Sequence, residues 1–262
     1  MMEIDERKQQ ILWAIVKEYI DEAEPVGSTV ICKKYHLDIS PATVRNEMSN
    51  LEEAGYLTHP HTSAGRIPTD KGYRFFVDHL MKIYQLSTRE KTLIKQAYLD
   101  LNNDMENIME HTLKAMITLS NYPSVITENP DIFKDLFGEM QRIMQKRTQE
   151  KFYFSGLSRL LNEPEFVDIN KIKSLLNVFE DKDRACLLLD SEEDSENVVI
   201  RIGEENKCEE LKDCSIITRK FHYENKPIGT IGIVGPKRMR YAQATSTIDH
   251  IAQNLEDILA SI

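Results

Sequence analysis

The chain has 262 residues, of which 41% are hydrophobic and 29% charged, so it is long enough for two modest domains that each bury a core. Its formal net charge of −10 argues against a generally basic nucleic-acid-binding surface. No stretch approaches the roughly 18 apolar residues of a membrane helix. The polar start MMEIDERKQQ does not resemble a secretory signal, so we expect a cytoplasmic protein with no membrane partner.

The cysteines and the charge distribution narrow the possibilities further. The four cysteines include no CxxC pair, so no zinc or thioredoxin-type motif is indicated, and we expect reduced thiols, no metal and no cofactor. Residues 25–75 hold six Lys or Arg and five Asp or Glu. Most of the acidity therefore lies outside the N-terminal third, and the net charge does not exclude nucleic-acid binding there.

Three helices are predicted at the N-terminus. The first ends before Pro25 and has the apolar spacing of one helix face in Ile11, Leu12, Ile15, Val16, Tyr19 and Ile20. Ser28 is expected to cap a short second helix. Ser40 is expected to cap a third helix that has Pro41 at its first position and Gly55 as the left-handed residue after its end. This is the skeleton of a helix-turn-helix motif.

The third helix has a face suited to a DNA major groove. Val44, Met48 and Leu51 define its buried side. The side chains that we expect to face DNA are those of Ser40, Thr43, Arg45, Asn46, Ser49 and Asn50. Arginine can bridge guanine O6 and N7, and asparagine adenine N6 and N7. Glu52 and Glu53 fall in the last turn, where the helix would be leaving the groove. The alternative is an ordinary solvated face, because surface helices carry the same residue types.

The run YLTHPHTSAGRIP predicts a small β-hairpin, which would make the motif winged. Its tip carries residue types that contact phosphates or enter minor grooves, namely His61, Thr62, Ser63, Gly65 and Arg66. No acid lies between Glu53 and Asp70 in the sequence. His59 and His61 have no carboxylate or cysteine nearby in sequence, so we interpret them as surface or phosphate-contacting residues rather than metal ligands.

These motifs carry a family resemblance. ISPATVRNEMSNLEEAGYLTHPHTSAGRIPTDKGYRFFVDHL resembles the N-terminal domain of the heat-inducible transcription repressor family, HrcA. SRLLNEPEF, VVIRIGEEN and IGTIGIVGPKRMRYAQA resemble stretches of that family's C-terminal domain in the same order. The resemblance implies a winged-helix repressor of chaperone operons that binds an inverted repeat in double-stranded DNA as a homodimer. It also implies that activity depends on a GroEL-type chaperonin.

The chain departs from that family in one region. Members usually carry several strands of a GAF-like domain and an inserted dimerisation domain after the first long helix. Here LSNYPSVITENPDIFKDLF is interpreted as passing almost directly from one helix into another, so most of that material is expected to be missing. We therefore expect a winged helix-turn-helix domain at 1–84, a long connecting or dimerisation helix at 85–122, and a GAF-like α+β regulatory domain with a reduced sheet at 123–262.

The predicted connecting helix begins with a capping-box pattern at Ser87 and Glu90 and runs to Asn121, about 50 Å. Its apolar positions step mainly by four and three, as in a heptad seam, and comprise Ile94, Tyr98, Leu101, Met105, Ile108, Thr112, Ala115 and Leu119. Two interpretations remain open, a coiled-coil dimer stem and a connecting helix packed along its own domain.

The remainder of the chain favours an antiparallel α+β domain. Helices are predicted at 130–144, at 169–179 and from RMRYAQ to the end, and four strands are predicted at ACLLLD, NVVIRIG, SIITRKFHY and IGTIGIVG. Gly229, Gly232 and Gly235 fit neither a dinucleotide fingerprint nor a P-loop, and no catalytic constellation stands out, so we expect no enzyme. The basic residues Lys237 and Arg238, with Arg240, are interpreted as a solvated helix start or, alternatively, a nucleic-acid contact.

The leading hypothesis is thus a dimeric repressor of heat-shock chaperone operons. One alternative is a winged-helix regulator that senses a small molecule through the GAF-like domain. Another is a winged helix that binds protein, which would show no salt-sensitive affinity for DNA.

Overall fold

The computed structural model describes residues 4–61, 64–99, 105–128, 152–181, 189 and 197–261. The chain forms two compact units, Met1–Lys82 with Lys237–Tyr241, and Ile83–Pro236 with Ala242–Ile262. Helices and antiparallel strands build both units, which confirms the expected α+β class. Among the described residues, no helix is both long and apolar enough to cross a lipid bilayer.

Three helices open the first unit, and each starts where the local sequence favours it. They are α1 (Glu6–Glu22), α2 (Ser28–Lys34) and α3 (Pro41–Glu53). The Asp5 carboxylate caps α1 by accepting the backbone N–H of Lys8 at 2.9 Å. α2 starts one residue earlier than expected, because Gly27 rather than Ser28 occupies the cap position. α3 starts after Ser40, as predicted.

The core of the first unit lies between these helices. Its buried side chains include Ile11, Leu12, Ile15, Val16, Ile31, Val44, Met48 and Leu51, as the apolar spacing predicts. Glu18 is also buried, yet its carboxylate lies 2.8 Å from the ammonium of Lys34 and accepts the hydroxyl of Tyr35 at 3.0 Å. These contacts offset the cost of burying the charge and fix α1 against α2.

The expected hairpin follows α3. Strand β1 (Leu57–Thr58) pairs antiparallel with β2 (Ile67–Pro68). Helix α4 (Asp70–Phe75) then follows. Its N-cap is Thr69, whose hydroxyl accepts the backbone N–H of Gly72 at 3.1 Å. The chain continues as a π-helical turn over Phe76–Leu80. A hairpin placed directly after the third helix makes the first unit a winged helix-turn-helix.

The prediction of one unbroken connecting helix is wrong. The second unit has two helices there, α5 (Thr88–Gln96) and α6 (Met105–Ser120), with a turn after the first. The hydroxyl of Tyr98 lies 2.9 Å from Oγ1 of Thr112. On one continuous helix these residues would be about 21 Å apart at 1.5 Å per residue. The two helices therefore fold back on each other, and Leu101 of the expected seam lies outside the described residues.

A five-stranded antiparallel sheet forms the centre of the second unit, one strand more than expected. Its strands are β3 (Ser124–Glu128), β4 (Phe152–Ser155), β5 (Val199–Ile202), β6 (Cys214–Tyr223) and β7 (Lys226–Pro236), in the order β4-β3-β7-β6-β5. β5, β6 and β7 lie in three of the four predicted segments. Of the fourth, ACLLLD, the structure describes Leu189 alone, which is helical.

The two unpredicted strands change how the middle of the chain is interpreted. β3 lies inside LSNYPSVITENPDIFKDLF, so the expectation that this run passes directly from helix to helix is wrong. β3 was not recognised because it is short and four of its five residues are buried, which leaves no alternation of polar and apolar residues. The helix predicted at 130–144 lies outside the described residues.

Two amphipathic helices complete the second unit, α7 (Ile169–Glu180) and α8 (Tyr241–Leu259), both as predicted. The core against one side of the sheet includes Val125, Leu160, Phe166, Leu175, Val178, Phe179, Ile216 and Val234. The rings of Phe154 and Phe179 stack with centroids 4.3 Å apart and thereby join β4 to α7.

Candidate nucleic-acid interface

The start of α3 is held by its own side chains. The hydroxyl of Ser40 accepts the backbone N–H of Thr43 at 3.1 Å and lies 3.0 Å from the Thr43 hydroxyl. Pro41 occupies the first turn, where a missing N–H costs nothing. Ser40 and Thr43 are therefore side by side at the positive end of the helix dipole.

The outward face of α3 matches the sequence prediction. Arg45, Asn46 and Asn50 are exposed, and Ser49 is half-buried. Ser49 donates its hydroxyl to the backbone carbonyl of Arg45 at 3.2 Å, and the amide of Asn50 donates to Glu47 at 3.3 Å. Of the three exposed residues, Arg45 and Asn46 lie nearer the N-terminus of α3 than Asn50 does.

The hairpin, which we call the wing (residues 57–68), is fixed to the turn before α2. The backbones of Val26 and Arg66 exchange two hydrogen bonds of 2.9 Å. A Cβ on Gly65 would lie 2.5 Å from the carbonyl carbon and oxygen of Val26, so only glycine permits this approach. His61 at the tip is exposed, whereas Thr62 and Ser63 lie outside the described residues.

Glu52 faces the wing, a contact that the sequence did not predict. Its Oε2 lies 2.8 Å from Nη2 of Arg66, and its Oε1 contacts Nδ1 of His59. The segment between Glu53 and Asp70 contains no acidic residue of its own, but the Glu52 carboxylate of α3 contacts its side chains. Sequence proximity gave no sign of this contact, because it depends on how the hairpin folds back along α3.

Helix and wing meet at a cleft of about 390 Å³. The residues that line it are Val26, Gly27, Ser28, Arg45, Met48, Ala64, Gly65 and Arg66. Both predicted arginines, one from α3 and one from the wing, thus border the same concave surface. Of the expected contact residues, Arg45, Gly65 and Arg66 line this cleft.

The run TDKGY after the wing has a structural role. The Thr69 hydroxyl donates to the carbonyl of Gly55, and the Lys71 ammonium donates to the carbonyl of Ala54, both at 2.7 Å. A Cβ on Gly72 would lie 2.2 Å from the Tyr56 carbonyl oxygen. These contacts satisfy the carbonyls that directly follow α3 and hold the end of α3 against α4, so much of this motif positions α3.

The basic cluster after β7 belongs to the first unit. Lys237 pairs with Asp70 at 2.7 Å, and Nη1 of Arg238 donates to the carbonyl of Ile20 at 3.2 Å, near the end of α1. Arg240 lies 3.5 Å from an oxygen of Asp21. The expectation of a solvated helix start is wrong for Lys237 and Arg238, which are only partly exposed, whereas Arg240 directly before α8 is exposed.

The second unit has a smaller cleft, of about 230 Å³, beside α7. It is lined by Phe166, Asn170, Lys171, Ser174, Leu175, Glu209, Glu210 and Asp213. Two of these residues, Lys171 and Asp213, form an ion pair of 2.5 Å. Among the described residues, no group of three or more His, Cys, Asp and Glu side chains is placed to hold a metal ion.

Comparisons with known proteins agree with this architecture. The family described as HrcA protein C terminal domain matches residues 90–245. A heat-inducible transcription repressor HrcA from Desulforamulus reducens is 34% identical over 342 aligned positions, which cover 100% of this chain and 99% of the relative. The protein of that name from Pelotomaculum thermopropionicum is 32% identical over 342 positions, which cover 100% and 98% of the two chains.

The lengths of these alignments exceed the 262 residues of this chain, so the relatives carry segments without a counterpart here. Among solved structures, the crystal structure of a hypothetical protein matches with a TM-score of 0.75 and 21% identity, covering 99% of both chains, which supports the fold alone. The sequence relatives identify the family. The chain belongs to the HrcA family of heat-inducible transcription repressors.

Proposed function

We propose that this repressor binds an inverted-repeat operator in double-stranded DNA as a homodimer and blocks initiation at chaperone operons by occupying it. The observation that carries the proposal is the cleft that Arg45 of α3 shares with Arg66 of the wing. A helix in the major groove beside a wing on the adjacent backbone would use both cations. Two identical modules also suit DNA of two-fold symmetry.

The contact residues divide into two groups. Those proposed to lie near the bases are Thr43, Arg45, Asn46, Ser49 and Asn50. Those proposed to lie along the phosphates are Ser40, His61, Thr62, Ser63, Gly65 and Arg66. Arg45 and Asn46 are the strongest candidates for base readout, because both are exposed and both residue types form bidentate pairs with purines.

Control by a GroEL-type chaperonin is the regulatory part of the proposal. Protein domains are stable by only about 5–15 kcal/mol, so a loss of a few kcal/mol on heating changes the active fraction markedly. A repressor that needs chaperonin to stay folded would lose activity when heat-damaged proteins occupy the chaperonin. The chaperone genes would then be transcribed. The family membership of this chain supports this scheme.

Sensing of a small molecule is less well supported. The cleft beside α7 is about 230 Å³, below the roughly 300–1,000 Å³ of typical ligand sites, and two of its lining residues are already paired with each other. A thermal-shift screen against metabolites tests this alternative. A ligand that raises the unfolding midpoint with a concentration dependence set by its Kd would favour it.

The proposed function is tested by fluorescence anisotropy with a labelled inverted-repeat fragment from upstream of the chaperone genes. We expect tight binding to this fragment, much weaker binding to a scrambled fragment of the same composition, and a strong decrease in affinity with salt. Added chaperonin is expected to increase the active fraction of repressor after mild heating. Equal affinity for both fragments would contradict operator recognition.

A further inference from the structure

The Arg66 guanidinium, proposed above to contact a phosphate, is already paired with a carboxylate. Nη2 of Arg66 lies 2.8 Å from Oε2 of Glu52, and the two side chains are 21% and 24% exposed. Oε1 of the same carboxylate contacts His59, also in the wing. Both oxygens of Glu52 are therefore engaged by wing side chains.

The base of the wing is held by backbone contacts in addition to this ion pair. The two backbone hydrogen bonds between Val26 and Arg66 and the close approach of Gly65 hold the wing base in place. The strand pairing of Leu57 with Pro68 adds to this. Glu52 consequently determines where the Arg66 side chain points and how much of its charge is available, whereas the backbone determines where the wing lies.

We propose that Glu52 is an intramolecular competitor of the DNA phosphate for Arg66. This inference rests on the proposed function. A carboxylate and a phosphate offer a guanidinium similar paired oxygens, so one can replace the other. DNA must either displace Glu52 from Arg66 or bind with that cation neutralised. In both cases the phosphate contact at the wing contributes less to affinity than a free arginine would.

Two consequences follow for DNA recognition. The competition weakens binding to every sequence, since a phosphate contact carries no base information. The contacts of Arg45 and Asn46 with bases then make up a larger share of the total affinity for the operator. Glu52 therefore limits non-specific binding without altering the preference between sequences.

The test compares Glu52→Gln with Glu53→Gln in the full-length chain. Both substitutions remove one negative charge from the end of α3. Glu52 pairs with Arg66 of the wing, whereas the neighbouring Glu53 is exposed. Arg66→Ala and the double variant Glu52→Gln/Arg66→Ala complete a double-mutant cycle, which measures the coupling between Glu52 and Arg66. Affinities for the operator and for scrambled DNA are measured over a range of salt concentrations, with the thermal midpoint of each variant as a check on folding.

We expect Glu52→Gln to tighten binding to both DNAs by about fivefold at roughly 0.15 M salt, relative to Glu53→Gln, and to steepen the salt slope by about 0.9. This is the effect of one additional phosphate contact. In the Arg66→Ala background, Glu52→Gln should have the same effect as Glu53→Gln in the wild-type background, because the competition is gone.

Equal behaviour of Glu52→Gln and Glu53→Gln would overturn the inference and leave operator binding intact. Weaker binding by a folded Glu52→Gln variant would also overturn it, because Glu52 would then position the wing for DNA. Equal affinity of the wild type for operator and scrambled DNA would instead contradict the proposed function. The affinities of Glu52→Gln and Glu53→Gln could still be compared on either DNA, so the competition by Glu52 would still be tested. A wild type that binds neither DNA would contradict both.

Discussion

The Lys237 ammonium lies 2.7 Å from the Asp70 carboxylate, although Lys237 follows the last strand of the sheet in sequence. The segment Lys237–Tyr241 belongs to the first unit, where Met239 is fully buried and Tyr241 is 1% exposed. The Tyr241 ring lies 6.1 Å from that of Tyr73 in α4. The winged helix-turn-helix is thus completed by the piece of chain that follows β7 and includes the first residue of α8.

Burial, rather than charge, should dominate the contribution of this segment to stability. Met239→Ala is expected to lower the free energy of unfolding by about 2–5 kcal/mol, because it leaves a cavity. Lys237→Ala should cost about 1 kcal/mol or less, since its ion pair is partly solvated. Urea denaturation of both variants measures the difference. A larger loss for Lys237→Ala than for Met239→Ala would show that the ion pair dominates.

Gly65→Ala should displace the wing. The new Cβ would lie 2.5 Å from the carbonyl group of Val26, so the Val26–Arg66 hydrogen bonds must break or shift. We expect weaker binding to operator and scrambled DNA alike and a lower thermal midpoint. Unchanged DNA affinity of a folded Gly65→Ala variant, relative to the wild type, would mean that the wing does not contact DNA.

His250 should make the second unit less stable in mild acid. Burial lowers the pKa of His250 from its ordinary 6.5, and Lys91 and Lys95 lower it further against the opposing effect of Asp249. The unfolded chain therefore binds a proton at His250 more tightly than the folded chain does. The contribution of neutral His250 to the free energy of unfolding is fully present above about pH 6.5 and is lost as the pH falls through the folded-state pKa.

The measurement is the free energy of unfolding between pH 8 and 5 for the wild type and His250→Gln. We expect the variant to lose less stability than the wild type over that range. Parallel pH profiles of the two proteins would show that His250 does not carry this dependence.

Local signals were sufficient for most of the first unit. The spacing of Val44, Met48 and Leu51 predicted the buried face of α3, and Gly55 does adopt the left-handed conformation, with φ of 79°. Contacts between distant residues were not predictable in this way. The pairing of Glu52 with Arg66 and the place of Lys237 both depend on tertiary folding that leaves no periodic signal in the sequence.

The second unit shows where hydrophobic patterns fail. The heptad-like steps from Ile94 to Leu119 predicted one rod, yet the chain turns after Gln96 and the apolar residues pack within the unit. A seam of this kind has the same pattern whether its partner is another chain or a neighbouring helix of the same chain. The Tyr98–Thr112 contact indicates the second arrangement, because it joins the two helical segments within one chain.

The central claim is that α3 reads an operator, and the most direct test is the ratio of affinities for operator and scrambled DNA. For Arg45→Ala and Asn46→Ala we expect operator affinity to fall by about 1–3 kcal/mol per lost base contact. Affinity for scrambled DNA should change much less, so the ratio should fall by about 5- to 150-fold for each lost base contact. An unchanged ratio in both folded variants would contradict the assignment of α3 as the recognition helix.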